Sequence, residues 1–243
     1  MIAKPGDNDG ARRGAFASMV AHELRTPLTA AFGALEMMSR AAATSNDSDM
    51  ARNALLIDLA HRNTERLLRI VEDCLDLEAA SDGRLVLNRT ATDPDVVVAL
   101  GVDGAHSARE QTGVDVLLKL DASTSMMCDR ERIARAITHL VQNAVTFGPL
   151  GTVVTLTTTD DAARGVVRFT VEDCGPGIES GVMDRLFQPF DCREAFGRRR
   201  VGGIGMGLAF VRMVANAHGG TVGVASRPGC TAVWFEVRVS GEP

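Results

Sequence analysis

Between residue 14 and about residue 43, apolar side chains return every three or four positions: Phe16, Val20, Leu24, Leu28, Ala31, Leu35 and Met38. That period marks one face of a helix. The polar stretch TSNDSD at 44–49 interrupts it, and Asp49 is placed to cap whatever follows. From 50 to 80 a second seam runs through Leu56, Leu59, Asn63, Leu67, Ile70, Cys74 and Leu77, with the alternating three and four spacing of a heptad. Ser81-Asp82-Gly83 ends it. Two long helices and a short turn predict a hairpin over 14–81. A lone hairpin leaves apolar stripes uncovered, and a second copy covers them by completing a four-helix bundle, so the pattern predicts a homodimer. The alternative is that the stripes pack onto the rest of the same chain.

After residue 83 the period changes. LVL (85–87), VDVLLKL (114–120), TVVTLTTT (152–159), GVVRFTVED (165–173), TVGVAS (221–226) and TAVWFEVRV (231–239) read as strands. Residues 94–110, 129–147 and 205–218 read as helices, with Asp129 as the N-cap of the middle one. Strands and helices mix without strict alternation, which predicts helices on one face of a mixed sheet. The expected architecture is an all-α hairpin, in a dimeric four-helix bundle, followed by an α+β sandwich domain over 84–240. Residues 1–13 read as a loose leader or linker.

Composition narrows the function. Hydrophobic residues make up 45% of the 243 positions, so a packed core is expected. The net charge of −5, with 4% aromatic residues and no tyrosine, argues against a nucleic-acid binder, which would carry a basic stripe or stacking platforms. The five cysteines are odd in number and form no CxxC, so neither a disulfide framework nor a zinc site is expected, and a reducing cytoplasm fits best. No apolar run reaches the ~18 residues of a membrane span.

Two glycine clusters carry candidate chemistry. Asp173-Cys174-Gly175-Pro176-Gly177-Ile178 follows an apolar strand, so a carboxylate stands at a strand end beside a tight turn that lets backbone approach a ligand. By itself DxGxG is most often only a turn. Gly202-Gly203-Ile204-Gly205-Met206-Gly207-Leu208 opens a helix and exposes its first amides, a phosphate cradle in principle. It lacks GK[ST] and the dinucleotide spacing, and a hinge would read the same way. In the helix 129–147, the amide oxygen of Asn143 is of the type that binds a hard cation such as Mg²⁺.

HELRTPL (22–28), QNA (142–144), DCGPGI (173–178), LFQPF (186–190) and GGIGMGL (202–208) occur in this order. Together they resemble the sensor histidine kinases of two-component signalling, over residues 15 to about 239. The resemblance implies a dimerisation and phosphoacceptor hairpin and a GHKL-type ATP-binding domain. It implies His22 as the phosphoacceptor, Glu23 as the acid that assists it, and Thr26 as the residue that positions water in a phosphatase reaction. It further implies Asn143 as the Mg²⁺ ligand and Asp173 as the partner of the adenine amino group, with Gly175 and Gly177 shaping that pocket. Phe187 and Phe190 match the aromatics flanking the ATP lid, and Gly203, Gly205 and Gly207 the glycines that hold lid and phosphates. The implied cofactors are ATP and Mg²⁺. The implied partners are a second copy and the receiver domain of a response regulator, and the implied place is the cytoplasm, as a soluble protein or as part of a membrane-tethered receptor.

Two positions depart from that pattern. His139 stands where such proteins usually carry Asn, and Thr146 where they usually carry a basic residue. They keep open a degenerate, non-catalytic adaptor or a phosphatase-dominant regulator. Arg198, Arg199 and Arg200 could compensate in the lid. Cys174 takes a place often held by Asn or Thr. Pro27 lacks an N–H and crowds the carbonyl of residue 23, which suggests a bending point one turn past His22.

Overall fold

A computed structural model of the chain describes residues 7–43, 50–183, 185–188 and 205–239; the side chains of 7–19, 22–23, 41–43, 50 and 51 lie outside that description. The chain divides into two compact units, Met1–Ala79 and Ala80–Pro243.

The first unit is helical: α1 spans Asp7–Ala43, and α2, spanning Met50–Ser81, runs just beyond it. α1 starts at Asp7, so residues 7–13, read as a leader or linker, are helical. Pro27, Ala31 and Ala34, spaced four and three, form the buried face of α1, which continues through the proline. Along α2 the expected seam is half-buried at Leu56, Asn63, Leu67, Ile70, Cys74 and Leu77, whereas Leu59 is exposed. Asp49, expected as a cap, lies outside the described residues.

The second unit is an α+β sandwich. Its sheet runs in the order β2 (Asp115–Leu120), β4 (Val153–Asp161), β5 (Val166–Asp173), β7 (Cys230–Arg238) and β6 (Val222–Arg227). β2 lies parallel to β4, and the other neighbours are antiparallel. Alternate residues of β5 and β7 (Val167, Phe169, Val171, Phe235 and Val237) are buried, and Phe169 stacks on Phe235 with centroids 4.9 Å apart. α5 (Arg130–Phe147) packs against β4 and β5, and α7 (Gly207–Ala217) against α5, β6 and β7. Buried Ile133, Ile137, Leu140, Val141, Phe210 and Val214 fill the layer.

Asp129 caps α5 as expected: its Oδ1 accepts from the amide of Arg132 at 3.1 Å. Its own amide donates to Nε2 of buried His218 at 3.0 Å, so that ring is neutral, with its proton on Nδ1 donated to the Val214 carbonyl at 2.8 Å. Burial holds the His218 pKa below its ordinary value.

Two strand and helix expectations change. LVL at 85–87 is not a strand. Val86 is 81% exposed, and the segment is tied to the start of α5 by side chains, with the Asn88 amide donating to Asp129 Oδ2 and the Arg132 guanidinium to the Val86 carbonyl. The first strand is β1, Thr90–Thr92, paired with β3, Met126–Cys128. The helix expected over 94–110 breaks at Ala105 into α3 (Pro94–Gly104) and α4 (His106–Thr112). Gly101 and Gly104 bring α3 close against α5, where Thr138 donates to the Gly101 carbonyl. A one-turn helix, α6 (Ser180–Met183), follows the DCGPGI turn.

Candidate functional site

Asp173 ends β5 with 8% of its surface exposed. Its Oδ1 accepts from the Gly175 amide at 2.7 Å, while burial raises its pKa above the ordinary carboxylate value. A Cβ at Gly175 would lie 2.5 Å from that same oxygen, so a side chain here would push the carboxylate out of this bond. Gly177 takes φ +86°, and a Cβ there would lie 2.9 Å from the Arg227 backbone. The turn is anchored to the β6–β7 hairpin. Gly229 N–H donates to the Gly175 carbonyl at 3.0 Å, and Ile178 N–H to Ser226 Oγ at 2.9 Å.

Ser226 Oγ lies 2.8 Å from Thr231 Oγ1, and buried Thr231 stands directly opposite Asp173 across the β5–β7 ladder. These two hydroxyl residues went unnoticed in the sequence. Inside a strand, Ser and Thr read only as ordinary strand residues, and it is the register that brings them under the Asp173 turn.

Asn143 and His139 are half-buried on α5, four residues apart and so on one face. His139 lies 5.3 Å from the Phe210 ring, and a Cβ at Gly207 would stand 3.1 Å from its Nδ1. That places the start of α7 against the His139 stretch of α5. Met206, the N-cap of α7, is helical in φ and ψ, and its side chain makes no capping hydrogen bond. Gly205 precedes it with φ +70°. Arg135, one turn before His139, sits over the Phe210 ring at 4.8 Å. Thr146 is exposed and donates to the Gln142 carbonyl at 2.6 Å.

The second unit therefore carries an acidic turn at one strand end and a glycine-led helix start. Asp173, Gly175 and Gly177 form the turn, and Gly205 and Gly207 belong to the helix start beside α5. Phe187 is buried after α6. Phe190, Gly203, Arg198, Arg199 and Arg200 lie outside the described residues. On α1, Thr26 is exposed and stands one turn after His22. His22 and Glu23 are in the helix, with side chains outside the described set.

Among the described residues no group of three His, Cys, Asp or Glu could hold a metal ion. Nor is any helix among them long and apolar enough to cross a membrane.

Comparison with known proteins agrees with this division. Residues 12–83 match the His Kinase A (phospho-acceptor) domain, and residues 128–241 the histidine kinase-, DNA gyrase B- and HSP90-like ATPase. The probable sensor histidine kinase TcrY of Mycobacterium tuberculosis is 34% identical over 228 residues, which is 92% of this chain and 45% of TcrY. The sensor-like histidine kinase SenX3 of the same organism is 29% identical over 222 residues, 91% of this chain and 52% of SenX3. The chain thus spans about half the length of these relatives. The solved histidine kinase AdeS of Acinetobacter baumannii superposes with a TM-score of 0.62 at 25% identity, covering 90% of this chain and 98% of that one. With a phospho-acceptor helical domain, a GHKL-type ATP-binding domain and relatives of this kind along nearly its whole length, the chain belongs to the sensor histidine kinases.

Proposed function

We propose that the chain is an ATP-dependent protein histidine kinase that phosphorylates His22 and passes the phosphoryl group to an aspartate of a response-regulator receiver domain. The observation that carries this reading is the Asp173 turn. A buried carboxylate is locked by the Gly175 amide where no Cβ fits, in the same chain as HELRTPL. One solved relative of the same fold is described as a histidine kinase in complex with a response regulator protein, which supports the choice of acceptor.

Asp173 would accept from the adenine amino group, with Gly175 and Gly177 keeping the approach open. The first amides of α7, led by Gly205 and Gly207, would face the phosphates. Asn143 would offer its amide oxygen to Mg²⁺ brought in by the nucleotide. Bound Mg²⁺·ATP supplies the activated phosphoryl group. His22 would attack through an unprotonated ring nitrogen, available because imidazole is mostly neutral near pH 7. Glu23 would accept the other ring N–H, fix the tautomer and stabilise the imidazolium that develops. Thr26, one turn along the same helix face, would hold water for a separate phosphatase reaction that hydrolyses the phosphorylated acceptor to inorganic phosphate. Dimerisation through α1 and α2 is part of the reading, because Leu28, Phe32, Leu35, Leu55 and Leu68 are left exposed in the single chain.

The test is incubation with γ-labelled ATP and Mg²⁺ beside His22→Gln. The expected label is acid-labile, base-stable and absent from the variant. Nucleotide binding without label would overturn the kinase reading.

A second reading has its own observation. His139 fills the position against Gly207 where relatives usually carry Asn, and the Thr146 hydroxyl is turned back to its own helix. A phosphatase-dominant or non-catalytic regulator would show no gain of label on His139→Asn, whereas a weakened kinase would gain it.

A further inference from the structure

Cys174 and Cys230 are far apart in sequence, and both carry free thiols. The β5–β7 ladder sets them opposite each other. Its register pairs Glu172 with Ala232 and Asp173 with Thr231, and the next pair in that series is Cys174 with Cys230. The ladder does not end before them: Gly229 N–H still donates to the Gly175 carbonyl at 3.0 Å, one pair further on.

Hydrogen bonds at both ends fix the alternation. Val239 N–H donates to the Gly165 carbonyl at 3.0 Å, and Gly175 and Gly229 form the other end. Directly bonded pairs therefore fall on the odd positions of β5, and Cys174–Cys230 is a non-hydrogen-bonded pair. In such pairs the Cα atoms approach to about 4.5 Å with both side chains on one face. That falls inside the ~4.4–6.8 Å span of disulfides. The face is the one opposite buried Asp173 and Thr231, and on it Cys174 is exposed and Cys230 half-buried.

We infer that Cys174 and Cys230 form a reversible cross-strand disulfide when the chain meets a low-molecular-weight disulfide. The exposed Cys174 thiolate attacks one sulfur of the small disulfide, forming a mixed disulfide and expelling one small thiolate. The Cys230 thiolate then attacks Cys174 Sγ, forming the Sγ–Sγ bond and expelling the second. The two cysteines lose two electrons, the small disulfide gains them, and the two cysteine protons end on the two released thiols. The bond clamps the Asp173–Gly177 turn to the β6–β7 hairpin, on which that turn already rests through Gly229 and Ser226.

The test treats the whole folded chain with glutathione disulfide, blocks remaining thiols by alkylation and maps peptides by mass. The expected product links Cys174 to Cys230, is lighter than the reduced chain by two hydrogen atoms, and reverts with dithiothreitol. Cys174→Ser and Cys230→Ser each abolish that link. Amide exchange at Gly175 and Ile178 slows in the oxidised chain and recovers on reduction. A glutathione adduct that persists on Cys174 without the link would overturn the inference. So would a link that forms only in urea, or a Cys174 crosslink to another cysteine. The link registers whether or not the chain transfers phosphate, so its failure and the failure of the kinase reading are separate results.

Discussion

In the α+β unit Phe169, Phe210 and Phe235 are fully buried, whereas in the helical unit Phe32 is 66% exposed, Leu28 57% and Leu35 55%. The first unit to be read along the chain is the one left open; the second closes on itself. A sheet covered by a helix layer buries alternate residues of every central strand within one chain. Two helices alone can bury only the sides they turn to each other, and their remaining apolar faces need another surface. On the proposed dimer, the difference separates a unit whose stability would depend on protein concentration from one whose stability would not.

That contrast can be broken most forcefully at the open face. Replacing Leu28 and Leu35 with Glu is expected to dissociate the proposed dimer. Each buried leucine contributes about 2 kcal/mol, and two protomers lose the pair, so dissociation constants rise by up to roughly a million-fold. Sedimentation equilibrium measures this, and nucleotide affinity should not move. An unchanged assembly would mean that these stripes are not the interface.

The closed unit is probed next at Glu236. This carboxylate is 1% exposed and accepts from Arg164 at 2.6 and 2.8 Å, from Arg168 at 2.7 Å and from Thr221 at 2.6 Å. Glu236→Ala removes the acceptor from two guanidinium groups and is expected to cost about 3 kcal/mol, at the lower end for a buried pair because both arginines are partly exposed. These bonds, Arg164 first, hold the Glu236 pKa down to about 2 from 4.5. The unfolded chain therefore takes up this proton first. The stability Glu236 contributes is complete above about pH 4.5 and is lost as pH falls toward about 2. Denaturant melts across that window should show the loss in the parent chain and not in the variant.

A smaller effect is expected at the Asp173 turn. Gly175→Ala places a Cβ against the carboxylate and should weaken nucleotide binding by roughly thirty-fold, or about 2 kcal/mol, by titration with a fluorescent ATP analogue. Dimerisation should be unaffected. Unchanged nucleotide affinity would remove Asp173 from the site.

The smallest is His218→Gln, expected to cost about 1 kcal/mol near neutral pH through the lost Asp129 hydrogen bond. Because the folded His218 pKa is depressed, the unfolded state binds the proton more readily. The contribution is complete above about pH 6.5 and falls away as pH drops below it. Melting of the variant should lack that acid-side loss.

Much of the architecture was legible because it rests on local signals. Heptad spacing marked α2, alternation marked β4 and β5, and Asp129 before a helical pattern marked the cap of α5. Where the reading failed, longer-range partners had decided. LVL at 85–87 has strand composition, yet Arg132 takes the Val86 carbonyl and Asp129 the Asn88 amide just after it. The helix from Pro94 breaks at Ala105, next to the glycines that bring α3 onto α5. The site divides in the same way. Asp173, Gly175, Gly177, Gly205, Gly207 and Asn143 stood out by residue type and spacing, whereas Ser226 and Thr231 carry no local mark and reach the site only through β-sheet register.

The sequence alone determined the two-part organisation, the order of the motifs and the residues of candidate chemistry, because periodicity, capping and turn residues act over a few positions. Only the tertiary structure decided that Asp173 is buried and bonded to Gly175, that His139 lies against the start of α7, and that Cys174 faces Cys230. Those are pairings between distant segments. A one-residue change of register would turn every such side chain to the other face of the sheet, and nothing local to either strand records which register was taken.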